Sequence, residues 1–348
     1  MSTIKCGKCG AEIPAGSKFC MECGNKIENN EAGKSKKYGS GLLHYAYGNN
    51  QSCGGKSDVI VRNGFVYYIV KKQDEINIKV APVSDSDTVQ TLYTAKGPGC
   101  TASCINMVED ELIFYEFNDG HKITAIDVYS GTRRAVLENH ACSSVWIENG
   151  IVIFVERGKL RSVHIDGGEY FEYSLPFRLS DRIFGYSGNL YAVIRDTGEV
   201  VEIPYEKNDF RYMEFTAGKD MIYGIIGNLY FAPDDSDGGP VLLCKNIGSL
   251  EITNGVENVD RLVTAFEQYV IFNRKEDNEF SFAWNIQTLR VYKLNRYFDI
   301  PPYSFTQILS DYIIIEYMGG IYKIPAPVFF QGSEPMFEDD KYLFVKIE

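Results

Sequence analysis

The chain is short of the groups most enzymes draw on and of the segments a membrane requires. Its 348 residues include four histidines, two tryptophans and seven methionines. His44, His121, His140 and His164 stand at no metal-ligand spacing from one another or from a cysteine, which excludes a histidine-rich metal centre and leaves each to a surface or hydrogen-bonded structural role. No apolar run approaches the roughly 20 residues that span a bilayer, Ile151 to Val155 being typical of the longest, so no membrane partner is expected. No basic stretch followed by an apolar one precedes the first cysteine, and a soluble, cytoplasmic protein is the expectation. Sustained i, i+3, i+4 apolar spacing is also missing, because Gly, Asn and Asp interrupt every apolar stretch, which argues against an α/β enzyme fold.

Positive charge is scarce where it would matter for polyanions. Net charge is −12, but residues 1–40 hold seven Lys and four Glu, which leaves −15 on residues 41–348. Nucleic acid would be repelled by most of the chain. The nucleophile elbow Gly-x-Ser-x-Gly of serine hydrolases does not occur. Two Gly-Lys-Ser triplets, at Gly33 and Gly55, lack the glycine a phosphate loop needs five residues earlier, and the second leads into an apolar strand instead of a helix. Asp234 to Asp237 would place Pro233 and Cys244 at the first and last ligand positions of a calcium loop, so it reads as an acidic turn.

What the chain does have begins at its start. Cys6-Gly-Lys-Cys9-Gly10 is echoed by Cys20-Met-Glu-Cys23-Gly24, two C-x-x-C-G knuckles ten residues apart. Each knuckle turns two thiolates toward one ion, and the glycine after its second cysteine can take the left-handed conformation that a side chain resists. Cys6, Cys9, Cys20 and Cys23 are therefore expected to hold one structural Zn²⁺, with no corner left open for water or substrate. Ile13 and Phe19 make too small an apolar cluster to fold the segment without metal. The other five cysteines, Cys53, Cys100, Cys104, Cys142 and Cys244, are odd in number and irregularly spaced, which argues against a disulfide framework. Cys100 and Cys104, without a neighbouring histidine, read as small core or loop residues.

Residues 4–27 resemble the short zinc-ribbon modules that open many bacterial and archaeal proteins. The resemblance implies an interaction or assembly appendage and identifies no reaction. Residues 28–41, polar and rich in Gly, Ser and Lys, read as a flexible linker, and 42–348 as a second domain.

That domain repeats one phrase seven times: a polar turn with Asn, Asp or Gly, then four to six apolar and aromatic residues. Its anchors are Tyr67, Phe114, Phe154, Tyr191, Tyr230, Phe272 and Ile314, spaced 47, 40, 37, 39, 42 and 42 residues apart. A period near forty marks propeller blades, and a single blade cannot bury both of its apolar faces alone. The expected fold is all-β, a seven-bladed β-propeller with six or eight as alternatives. In the second copy the strands fall near Ser103–Val108, Leu112–Phe117, Ile123–Val128 and Arg134–Leu137, and the last copy takes its fourth strand from Tyr342–Ile347 or from Leu42–Tyr47. The phrase resembles blades of bacterial propellers distantly akin to lipoprotein-receptor ectodomains. The Tyr-Trp-Thr-Asp tetrapeptide of the receptor blades and Trp-Asp endings at Trp146 or Trp284 are absent, and kelch-type double glycines do not recur from copy to copy.

Together these features lead to a non-enzymatic scaffold whose ribbon and propeller bind a protein or peptide. The alternative is a carbohydrate-active or other hydrolytic propeller with carboxylates meeting at its central mouth.

Overall fold

The computed structural model describes residues 3–5, 9–14, 22, 46–47, 55–85, 87–186, 188–205, 208–216, 224–226, 229–234, 241–246, 249, 252–266, 268–274, 277–294, 305–309, 312–317, 320–330 and 343–346. The protein is all-β, 64% strand, in a β-propeller arrangement. The linker 28–41 lies outside the described residues. After an N-terminal hairpin come seven antiparallel sheets, each with four strands laid down in chain order, strand beside next strand; the second gains a fifth strand from Ala46–Tyr47. All seven anchors fall on the second strand of their sheet: Phe65–Lys72, Glu111–Phe117, Ile151–Glu156, Asn189–Ile194, Leu229–Asp234, Tyr269–Arg274 and Tyr312–Tyr317.

The phrase takes this form because its two halves do different work. Asn63-Gly64 and Asn149-Gly150 join first and second strands with φ of 50° and 76°, and of 51° and 75°, the two-residue turn with positive φ at both positions that matches strand twist. The apolar run that follows is covered on both faces. From Phe65 to Val70 every residue is buried. In the second sheet, Leu112 and Phe114 join the core shared with the first sheet, whereas Ile113 and Tyr115 join the core shared with the third. One strand thus serves two cores, which is why it reads as a continuous apolar run instead of an alternation.

The chain packs as two compact units, the first containing three sheets up to Glu172 and the second four sheets from Tyr173. The second unit repeats the arrangement. Phe272 and Trp284 of the sixth sheet pack on Leu242 and Cys244 of the fifth, while Ile271 and Ala283 pack on Ile313 and Ile315 of the seventh. Phe329, in the short helix Ala326–Phe330, closes that last core.

One expectation needs correction and one is narrowed. A propeller arrangement is recognised over six blades, not seven; the seven anchors count sheets, and the sheets are unequal. The fourth strand of the third sheet is only Phe171–Glu172, and the first strand of the fifth only Gly224–Ile226. The last sheet takes its fourth strand from Leu343–Lys346, against Gly320–Pro325, as one of the two expected routes had it. Ala46–Tyr47 goes elsewhere, pairing with Met107 and Val108 as a fifth strand of the second sheet, so the first and last sheets exchange no strand among the described residues.

Candidate functional site

Of the four expected zinc ligands, Cys9 lies within the described residues, while Cys6, Cys20 and Cys23 lie outside them. The first knuckle nevertheless has the framework the chemistry needs. Thr3–Lys5 pairs with Glu12–Pro14, Lys5 opposite Glu12, and the hairpin between them carries Cys9, exposed, followed by Gly10 at φ 75°. Nothing lies within 4 Å of a Cβ added to Gly10, so the glycine serves the backbone conformation and not a close approach. A left-handed residue after the second cysteine fits a metal knuckle, and a four-thiolate set suits Zn²⁺. Among the described residues no three His, Cys, Asp or Glu side chains converge on a metal position.

In the first unit, the polar side chains gather where neighbouring sheets meet. Glu116, 4% exposed, accepts from the Tyr93 hydroxyl of the first sheet and from Thr124 of its own, both at 2.6 Å. Burial and this carboxylate push the Tyr93 phenol up to about 12, and the Arg133 guanidinium lies 4.9 Å from the ring centroid. Glu111 is held by two nitrogens of Arg134, which also reaches the Ile165 carbonyl of the next sheet at 2.6 Å.

A second cluster sits on the third sheet. Arg161 is ion-paired with Glu156 and, at 2.7 Å, with Glu172. Burial and the Arg161 charge hold His140 below its ordinary pKa, and its Nδ1 lies 2.9 Å from both the Arg161 guanidinium and Glu156 Oε2, the tautomer deciding which of the two it bonds. The backbone N–H of Ala141 donates to the other Glu156 oxygen at 2.9 Å. His121 bonds the Tyr115 hydroxyl at 2.7 Å, and exposed His164 accepts from Asp166 N at 3.2 Å. These three histidines are hydrogen-bonded structural or surface groups, as expected; His44 lies outside the described residues.

Where the chain enters the first strands, Ser57 caps its own turn through Val59 N at 2.9 Å, and its carbonyl accepts from Ile105 N of the second sheet at 2.9 Å. Lys56 and Ser57 thus lead into a strand, not a helix. Beside them Asp58 binds Lys71 Nζ through Oδ2 at 2.5 Å, while its Oδ1 is buried without a partner. Burial raises this carboxyl against the opposing pull of Lys71. Cys104 is buried, its thiol pushed up to about 11 by burial and 3.8 Å from the Ser143 carbonyl. Cys142 is likewise pushed upward by burial. Both stay protonated at neutral pH and pack in the core between second and third sheets. Cys100 is buried, its thiol directed at the Ala95 carbonyl. The core reading of Cys100 and Cys104 agrees with these positions.

In the second unit, Glu202 accepts from Tyr191, Asn189 and Arg211. The sixth sheet carries a different arrangement. Arg274, at the end of its second strand, lies over the Phe282 ring at 4.6 Å and the Phe272 ring at 5.8 Å, and its Nε is buried without an acceptor. Sequence reading passed over Glu116, Arg161 and Arg274 alike. Each gains its partners across a strand or a sheet boundary, and no local motif marks them.

The comparisons with known proteins agree with this architecture. Residues 5–27 match the zinc-ribbon domain family model. No curated protein matches the chain. A computationally designed protein, Ika8, superposes with a TM-score of 0.53 at 12% identity over 81% of this chain and 86% of its own, a likeness of fold alone. Looser superpositions, with TM-scores of 0.49 and 0.47 and 9% identity, are to Hsv2p of Kluyveromyces lactis and the WD40 β-propeller domain of Doa1. They cover 83% and 79% of this chain and 95% and 91% of those chains.

Proposed function

We propose that the chain is a non-enzymatic interaction protein of the cytoplasm, whose propeller docks an extended segment of a protein or peptide partner while the ribbon, tethered through residues 28–41, makes a second contact. One Zn²⁺, held by Cys6, Cys9, Cys20 and Cys23, is structural in this reading: it folds the ribbon and leaves no coordination position for a substrate. Two modest contacts on one tether reinforce each other through effective concentration.

The observation that carries this reading is where the exposed large apolar side chains stand. Phe171 lies on the fourth strand of the third sheet, Tyr212 on that of the fourth, Ile252 on that of the fifth and Val291 on that of the sixth; Val89, Tyr170 and Leu289 each lie one residue before such a strand, and Tyr312 alone of the described set begins a second strand. A fourth strand presents unpaired backbone groups at the sheet's edge, and apolar side chains beside them give an incoming strand both hydrogen bonds and pockets. The buried or half-buried acids Glu111, Glu116, Glu156 and Glu202 are already engaged by hydroxyls or guanidinium groups.

The test is a cross-linking capture from the native host, run in parallel with the full chain and with F171K and Y212K variants. The reading expects a partner recovered by the parent chain and lost or much reduced with the edge variants. Equal recovery by all three, or none above background with the parent, overturns it.

A further inference from the structure

We propose that Arg274 is a carboxylate-binding site, one that receives an acidic side chain or chain-terminal carboxylate of a bound peptide. The inference rests on the interaction reading only for the owner of the carboxylate.

Arg274 ends the second strand of the sixth sheet and Asp277 begins the third, Asp277–Asn285; the two are register partners across the hairpin. An arginine opposite an aspartate ordinarily forms a cross-strand ion pair. Here the aspartate is taken. Asp277 Oδ2 accepts from Lys293 Nζ of the fourth strand at 2.8 Å, and a register shift between Asn273 and Arg274 breaks the ladder at this point. The guanidinium instead lies on the rings of Phe282 and Phe272, two members of the core shared with the fifth sheet.

Three consequences follow. The stacked rings hold the cation in place, so little rotamer freedom remains to be lost on binding. Its Nε–H is withdrawn from solvent with no acceptor among the described residues, a donor whose desolvation cost a ligand oxygen would recover. Among the described residues no acid is bound to its charge, unlike Arg134, Arg161, Arg195 and Arg211, each of which is ion-paired. A planar fork with a dry Nε–H suits a two-oxygen anion bound side-on, and carboxylate is the anion a peptide supplies. Buried Asn273, opposite Ser281 with Nδ2 at 3.3 Å from its hydroxyl, gives the neighbouring backbone a polar setting in place of an apolar one.

The experiment follows the Arg274 Nε–Hε resonance in the ¹⁵N-labelled full chain, assigned by its loss in R274K. Glutarate is titrated in one arm, inorganic phosphate in a second and chloride in a third. The proposal expects a saturable shift with glutarate at Arg274 while the exposed Arg290 shifts only in proportion to concentration. It also expects about tenfold weaker glutarate binding to R274K, followed in parent and variant on the backbone amide of Asn273, since the substitution keeps the charge and loses the fork. K293A supplies an independent check with Arg274 intact: freeing Asp277 to pair with Arg274 should weaken glutarate binding. An unmoved or non-saturating Arg274 signal, tighter binding of phosphate or chloride, or unchanged affinity in K293A overturns the assignment. Any of these can occur while the edge-strand capture succeeds, so the two proposals fail separately.

Discussion

The Tyr93 hydroxyl of the first sheet donates to Glu116 Oε2 of the second at 2.6 Å, a hydrogen bond that closes a sheet boundary from the inside. The acceptor is a buried side chain with a second donor, Thr124, already in place on its other oxygen. Tyr93 also belongs to the apolar core between these sheets. Its ring packs while its hydroxyl satisfies an acid that would otherwise be stranded.

Replacing Tyr93 by Phe should keep the packing and remove only that bond. The loss expected is about 1–3 kcal/mol, the range for a buried polar group left incompletely satisfied. Replacing Glu116 by Ala should cost at least as much, because it strands two hydroxyls and opens a cavity. The double variant should fall short of the sum, which a urea-unfolding cycle measures. Full additivity would show that the two residues act independently.

The anchors were legible because local chemistry specifies them: an Asn-Gly turn followed by residues buried on both faces leaves a mark in any five or six consecutive positions. Tyr93 and Glu116 are 23 residues apart, and Arg134 and Glu111 likewise, so their pairing depends on how neighbouring sheets align, which no local pattern encodes. Arg274 runs against what the sequence suggests, since Asp277 stands three residues away and looks like its partner until Lys293 is seen to occupy it. The zinc knuckle was the most legible feature, because four thiolates at fixed spacing are both the motif and the chemistry. Blade number was less so, since it depends on strand lengths that apolar anchors do not set.

Turn chemistry gives a second prediction. Gly64 sits at φ 76° with nothing within 4 Å of an added Cβ, so the penalty for Gly64→Ala is conformational and not steric. It should destabilise by about 1–2 kcal/mol, with Gly64→Asn costing less because asparagine tolerates the left-handed region. A fall in the unfolding midpoint at unchanged denaturant sensitivity would confirm a local backbone effect.

The third concerns acid. His140 has its pKa held below the ordinary value by burial and by Arg161, so the unfolded chain takes up a proton at a pH where the folded protein does not. Stability should therefore be constant above the unfolded histidine value, about 6.5, and fall as pH drops below it toward the folded value. Glu172, held down by its bonds to Lys159 and Arg161, adds a further loss with the same sign at still lower pH, once it is protonated. His140→Gln should flatten the first part of that fall and leave the second. Unfolding midpoints taken from pH 7.5 to about 3, below the ordinary glutamate value, with the imidazole followed by NMR, separate the two. A midpoint that rises on acidification through 6.5 would contradict a ring held neutral by burial and Arg161.

The last prediction concerns the ribbon, where metal and fold are expected to be one event. Cys9→Ser removes one thiolate from the knuckle whose backbone is already bent at Gly10, and three remaining ligands should not hold the segment against the entropy of about two dozen residues. Zinc content should drop from one equivalent toward zero, and limited proteolysis should cut within residues 1–27. The sheets draw their stability from cores such as those around Phe114 and Phe272, in which no described ribbon residue takes part, so their melting should stay where it was. Phe154→Ala, which empties a fully buried site in the core between second and third sheets, should do the reverse: about 3–5 kcal/mol lost from the propeller with zinc retained. If Cys9→Ser lowers the propeller's melting as well, the ribbon is docked on the sheets and the tethered arrangement fails.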